Sequence, residues 1–292
     1  MAESVRVQAA AKVNLHLRVY KPRSDGFHGI LSIFQAVSLA DSIVIRSLKE
    51  SDTIEIEGDF DCAAQSTTVY KAALAYRKTS GIGKGLSISV DKRIPAGAGL
   101  GGGSSDAAAV LIGLDSLLGG KLGMQTLSEL GGAIGSDVPF FIIAAAALVS
   151  GRGELVRPIE ARKDFSLLLV FPGFPIATAG AYALLDRERP DDSSEPDPGS
   201  DRLMEAYYGD IGAWPFANSF EPFIGAQNPA ILRAKEILLG SGASFAAMSG
   251  SGSTIFGVFE NPSTAIDAMG VLSAKGYGVE AVSPLARGPA LD

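Results

Sequence analysis

Pro95-Ala96-Gly97-Ala98-Gly99-Leu100-Gly101-Gly102-Gly103-Ser104-Ser105 places five glycines in seven positions directly before an amphipathic run. Glycine suits a backbone that must adopt positive φ or approach a ligand closely, and the unpaired N–H groups at a helix start favour phosphate. Ser104 and Ser105 add hydroxyls for a cap or a phosphate. A flexible turn with a serine cap is the bland alternative. No lysine follows the glycines, so the stretch is not a Walker A loop. Gly97, Gly99 and Gly102 fit G-x-G-x-x-G, but six residues separate them from the preceding strand pattern. The acid about 20 residues on, Asp115, falls inside the next helix rather than at the end of a second strand, as a Rossmann site requires. A third kind of phosphate loop is the reading that remains.

Four further groups carry chemistry. Lys12 and Asn14 sit two apart in an alternating apolar segment and share one face of a strand. A strand lysine commonly snorkels to solvent; paired with Asn14 near a carboxylate, it orients that carboxylate and neutralises transferred charge. Asp137, between Gly135 and Pro139 and ahead of the apolar Phe140–Val149, reads either as a turn or cap aspartate or as a partly buried proton acceptor. Phe27-His28 pairs an aromatic face with a hydrogen-bonding ring in a polar loop, and Gly250-Ser251-Gly252 forms a second glycine-serine turn.

The elements that position these groups follow from periodicity. Period-two segments at Val5–Val7, Val13–Val19, Ile43–Ile45 and Ile54–Ile56 predict an N-terminal sheet. A helix is expected over Thr67–Thr79, a strand over Leu86–Val90, and a helix through Ala107, Val110, Leu111, Leu114 and Leu118 that stops at Gly119-Gly120. Thr126–Ile134 reads as a short helix and Leu167–Phe171 as a buried strand. Asn228-Pro229 is a cap followed by a first-turn proline, opening a helix to Leu239. Ile255–Phe259, Pro262–Ala274 and Tyr277–Val282 give strand, helix, strand. Asp186–Asp201, with seven acids and three prolines, reads as a solvated loop and the best candidate for disorder. The charged run near residue 160 divides two apolar blocks, so domains of 1–160 and 161–292 are expected.

Composition narrows the function. The chain has 292 residues, 25 Lys+Arg against 32 Asp+Glu, one cysteine and two histidines. Net acidity without a basic stripe argues against nucleic-acid binding. Cys62 alone forms no intramolecular disulfide, and His16 with His28 builds no zinc cage. No basic-then-apolar leader opens the chain, and Phe140–Val149 is too short to span a bilayer, so a cytoplasmic protein with a small-molecule partner is expected and no membrane association.

The glycine loop, together with Ala11-Lys12-Val13-Asn14-Leu15-His16-Leu17, Asp25-Gly26-Phe27-His28 and Ala243–Thr254, resembles the GHMP kinase superfamily over most of the chain. Within it, Lys-x-Asn-Leu with Asp-Gly-aromatic-His is similar to the branch whose substrate is a diphosphocytidyl-methylerythritol. The resemblance implies an α/β (α+β) fold of two lobes. The N-terminal lobe would carry a mixed sheet and the phosphate-loop helix, the C-terminal lobe would be ferredoxin-like, and the active site would lie in the cleft between them. It implies ATP-dependent phosphorylation of the substrate's 2-hydroxyl, a step in non-mevalonate isoprenoid precursor biosynthesis. Another kinase of the superfamily, of homoserine or mevalonate type, and a non-catalytic nucleotide- or sugar-binding regulator are the alternatives.

In that frame Pro95–Ser105 binds ATP, and Asp137, in Gly-Ser-Asp-Val-Pro, is the catalytic base with Lys12 as its partner. Asn14, Phe27, His28, Asp137, Gly250, Ser251 and Gly252 contact substrate. The branch usually carries Tyr where this chain has Phe27, which keeps the stacking face and loses a hydroxyl. Mg2+ is implied by the ATP charge and held mainly through its phosphates, with no metal site built from protein ligands.

Overall fold

A computed structural model describes residues 4–48, 52–189 and 199–288. The period-two segments of the first 60 residues merge into two long strands, β1 (Ser4–Pro22) and β2 (His28–Leu48), and a short β3 (Ile54–Gly58). Then come α1 (Thr68–Ser80), β4 (Gly85–Asp91), α2 (Gly102–Leu117), α3 (Gly123–Ile134), α4 (Val138–Ile143), β5 (Ala146–Ser150) and β6 (Leu155–Pro158). These six strands form one mixed sheet in the order β3-β4-β2-β5-β6, with β1 paired along β2. Only the β3–β4 pair is parallel. The helices bury their apolar faces on this sheet in a core that includes Tyr76, Leu111, Leu114 and Phe140.

Past the polar run near residue 160, β7 (Ser166–Phe171) opens a second sheet. It is followed by α5 (Thr178–Glu188), α6 (Gly199–Tyr208), α7 (Glu221–Gln227), α8 (Pro229–Gly240), β8 (Phe245–Met248), β9 (Ile255–Phe259), α9 (Pro262–Ala274) and β10 (Gly278–Val282). The sheet order β10-β7-β9-β8 is antiparallel throughout and is the split βαβ arrangement of a ferredoxin-like lobe, with extra helices between β7 and β8.

β1 pairs along β2 in the first sheet, and its side chains enter two cores, each of which draws residues from both sheets. Val7 and Ala9 lie in the first core, Ala11, Val13 and Leu15 in the second core beside Leu167 and Phe256, and Leu17 and Val19 in the first again. The β1–β2 register shifts between Ala10 and Ala11 and between Asn14 and His16. The first shift is of two residues and the second of one, and at each the core that the odd-numbered side chains enter changes. Between the shifts the even positions, Lys12 and Asn14, face away from the second core.

Several expectations require correction. Gly101, with φ of 73°, is the N-cap of α2, and Ser104 and Ser105 lie within its first turn, so neither serine caps the helix. Asn228 occupies the N-cap position of α8, but its amide donates back to the Ile224 carbonyl and caps nothing. The solvated loop of 186–201 is helical at both ends, in α5 and α6; its middle, 190–198, lies outside the described residues. Phe140–Val149 is split between α4 and β5. Among the described residues no helix is long and apolar enough to cross a membrane. Asp115 does structural work: its carboxylate accepts hydrogen bonds from the Tyr76 hydroxyl at 3.0 Å and the Leu122 N–H at 2.9 Å, tying α1 and the α2–α3 turn together.

Candidate active site

The glycine loop is shaped by what presses on it. Gly97, Gly99 and Gly101 all have positive φ, which only glycine adopts without strain. A Cβ on Gly99 would lie 2.1 Å from the Ser249 carbonyl oxygen, and one on Gly101 would meet the Phe141 ring at 2.9 Å. The loop is pinned from both lobes. Lys12 N–H donates to the Leu100 carbonyl at 3.0 Å, Ile176 N–H to Gly97 at 3.1 Å, and the Ser249 hydroxyl to Gly99 at 2.9 Å. Behind it, the first-turn N–H groups of α2 have no intrahelical acceptor, so the loop ends on an anion-favouring helix start.

Lys12 is buried, and its ammonium donates to the Asn14 side-chain oxygen at 2.5 Å. The same ammonium lies 3.7 Å from the Asp137 carboxylate and 4.7 Å above the centre of the Phe34 ring. Asn14 in turn donates to the Ser32 hydroxyl at 3.0 Å, which fixes its amide orientation. Burial pulls the Lys12 pKa below its ordinary value, and the neighbouring Asp137 charge opposes that pull. Asp137 stands at the N-cap position of α4 yet makes no capping hydrogen bond, so its carboxylate, 29% exposed, is free to face the ammonium and the solvent side. The turn reading of Asp137 therefore describes its place in the chain and not what its side chain does.

These groups open into one cavity of about 1130 Å³, larger than the roughly 300–1,000 Å³ of a single small-molecule pocket. Every loop residue from Pro95 to Ser104 lines it, as do Lys12, Asn14, Phe27, His28, Asp137, Gly250 and Ser251. Ser105 and Gly252 do not; Ser105 is buried beneath the loop, and Gly252 packs with its carbonyl toward Gly99. The glycine-serine turn is held by Asn218, whose amide donates to the Met248 and Gly250 carbonyls at 2.6 and 2.8 Å. Glu221 accepts from the Met248 N–H at 2.8 Å and pairs with Lys235.

Phe27 is 55% exposed, with its ring open to the cavity. His28 Nδ1 lies 2.8 Å from the Tyr20 carbonyl, its ring 4.9 Å from that of Tyr182, and its Nε2 3.3 Å from the Asp186 carboxylate. Burial, with the nearby Asp137 charge, pushes the Tyr182 hydroxyl up to about 12, so it stays a neutral donor. At another part of the cavity, Lys92 bridges Asp41 at 2.5 Å and Asp106 at 2.7 Å. Burial raises Asp106 to about 7 against the pull of Lys92.

Sequence reasoning missed Tyr182 and Asp186, which reach the cavity from α5, a helix with no motif to mark it, and Arg152, which reaches it from the β5–β6 turn. The Gly-Arg-Gly-Glu sequence of that turn was the available signal for Arg152. Asp59–Cys62 also line the cavity and carried none.

Known proteins resemble this chain along most of its length. Residues 67–145 match the GHMP kinases N terminal domain and residues 203–278 the GHMP kinases C terminal model. The 4-diphosphocytidyl-2-C-methyl-D-erythritol kinase of Thermodesulfovibrio yellowstonii is 40% identical over 90% of this chain and 92% of its own. That of Treponema pallidum is 38% identical over 89% and 91%. The crystal structure of a 4-(cytidine 5'-diphospho)-2C-methyl-D-erythritol kinase superposes with a TM-score of 0.81 at 34% identity, covering 96% of this chain and 98% of that one. The homoserine kinase of Cytophaga hutchinsonii, at 21% identity and a TM-score of 0.75, shares the fold. With identity of this level running through both lobes, the chain belongs to the GHMP kinases and, within them, to the 4-diphosphocytidyl-2-C-methyl-D-erythritol kinase family.

Proposed function

We propose that this kinase transfers the γ-phosphoryl group of ATP to the 2-hydroxyl of 4-diphosphocytidyl-2-C-methyl-D-erythritol, with Mg2+, giving the 2-phosphate and ADP. The observation that carries the reading is the Lys12–Asp137 pair, 3.7 Å apart, opening into the cavity that the glycine loop and Phe27-His28 also line. A hydroxyl held near Asp137 gives up its proton to that carboxylate as its oxygen attacks phosphorus. Lys12, locked by Asn14, orients the Asp137 carboxylate and offers a fixed positive charge to the transferring phosphoryl oxygens. The N–H groups of the loop and of the α2 first turn hold the remaining phosphates in line.

Mg2+ bound to the nucleotide neutralises charge on the phosphates. Among the described residues no group of three or more His, Cys, Asp or Glu side chains is placed to cage a metal, and the backbone cradle suits a metal that arrives with the phosphates. The exposed Phe27 ring, the His28 imidazole and Tyr182 suit a cytosine that stacks and accepts hydrogen bonds. The two domains divide near residue 160, between β6 and β7. A cytoplasmic setting fits this chemistry.

The test is ADP release with ATP, Mg2+ and a panel of diphosphocytidyl-methylerythritol, homoserine, mevalonate and galactose, run beside Asp137→Asn. Turnover of the cytidyl substrate alone is expected, reduced by about 10²–10⁴ in the variant. Turnover of a different alcohol would refute the substrate, and ATP binding without any turnover would favour a regulator.

A further inference from the structure

Three cationic side chains, Lys12, Lys92 and Arg152, line the cavity together with the carboxylates of Asp59, Asp61, Asp106, Asp137 and Asp186. Lys12 is committed to Asp137, and Lys92 to Asp41 and Asp106. Arg152 pairs with no carboxylate among the described residues; its guanidinium carbon lies 4.9 Å from the centre of the Phe27 ring. The turn that presents it is built for the purpose. Gly151 and Gly153 both have positive φ, and the Arg152 N–H donates to the Glu154 carboxylate at 2.6 Å. That bond uses the nearby acid on the backbone. A Cβ on Gly153 would stand 3.1 Å from the Ser136 side chain and 3.4 Å from an Asp137 carboxylate oxygen, so only glycine lets the turn sit against the proposed base.

A substrate with a diphosphate carries about two negative charges into a cavity richer in carboxylates than in free cations, and like charges repel there more strongly than in water. A guanidinium meets this need without leaving Phe27. It stacks on an aromatic face through its own π face, and its N–H groups, which lie in the plane, stay free for phosphate oxygens. We propose that Arg152 is a substrate-binding residue that steadies the Phe27 ring and pairs with the diphosphate of the cytidyl substrate. The inference rests on the substrate proposed above. It also accounts for Phe27: where the usual tyrosine would add a hydroxyl, the polar contact here comes from the residue stacked on the ring.

The experiment compares cytidine 5'-diphosphate with cytidine as competitors of the cytidyl substrate at saturating ATP, in the wild type, Arg152→Met and Arg152→Lys. In the wild type the diphosphate should compete about tenfold or more better than the nucleoside, the size of one charge-assisted contact. Arg152→Met should bring that ratio close to one, raise KM for the cytidyl substrate by a similar factor, and abolish the rise of that KM with ionic strength. Arg152→Lys should recover part of the ratio. Arg152 is exposed, so the thermal midpoint of each variant is the folding control. An unchanged ratio in Arg152→Met, with the cytidyl substrate still phosphorylated, overturns this inference alone. Failure of the wild type to phosphorylate that substrate overturns the parent reading with it.

Discussion

If Lys12 and Asp137 act as one unit, removing the second after the first costs little. The perturbation is a double-mutant cycle of Lys12→Met, Asp137→Asn and the two combined. Methionine keeps the buried stem and removes the charge; asparagine keeps the shape and removes the proton acceptor. At 3.7 Å two unit charges interact by about 4.5 kcal/mol at an effective dielectric near 20. Asp137 is 29% exposed, so solvent screening reduces this to about 2–4 kcal/mol, or roughly 30- to 1,000-fold in rate. Each single variant should lower kcat by about 10²–10⁴, through loss of the base or loss of the charge that positions it. The double variant should then fall short of the product of the two losses by that factor of roughly 30 to 1,000. Initial rates of ADP release at saturating substrates read the cycle, with circular dichroism confirming that all four proteins are folded. Losses that multiply would show that Lys12 and Asp137 serve separate steps and would refute the pairing argument.

Two further outcomes follow from the geometry. Gly99→Ala should destabilise the protein by well over the roughly 1–2 kcal/mol of a left-handed conformation and raise KM for ATP, because its Cβ would strike the Ser249 carbonyl; Gly119→Ala, where a Cβ meets nothing within 4 Å, should show the conformational cost alone, and equal urea midpoints would defeat the interlock reading. Asp106, raised to about 7, keeps a proton in the folded chain that the unfolded chain releases from about pH 4 upward. Its contribution is therefore greatest below that range, declines as pH rises to about 7 and is flat above. Asp106→Asn should lose less stability between pH 5 and pH 8 than the wild type in urea unfolding, since asparagine carries no titrating proton; equal losses would contradict the raised value.

The loop was legible in sequence because its constraint is local: Gly97, Gly99 and Gly101 need positive φ whatever surrounds them, and α2 follows within the same segment. The shared face of Lys12 and Asn14 was legible for the same reason. What that face meets was not, since it depends on the pairing with β2 and on the packing of the second sheet. The cap was misplaced because serine propensity at an N-cap was outweighed by Gly101, which the Phe141 ring and the Lys12 stem hold too closely for any side chain.

Local residue chemistry thus marked the candidate groups: the glycine loop, the carboxylate, the lysine with its asparagine, and the aromatic–histidine pair. The tertiary structure alone decided which of them meet. Lys12 reaches Asp137 across 125 residues, Asn218 holds the turn of Gly250, and α5 and the β5–β6 turn bring Tyr182 and Arg152 to the same cavity. Periodicity reports how a segment buries itself, whereas distances between side chains remote in sequence are set by strand register and by the packing of two cores against one strand, and neither is encoded in any one segment.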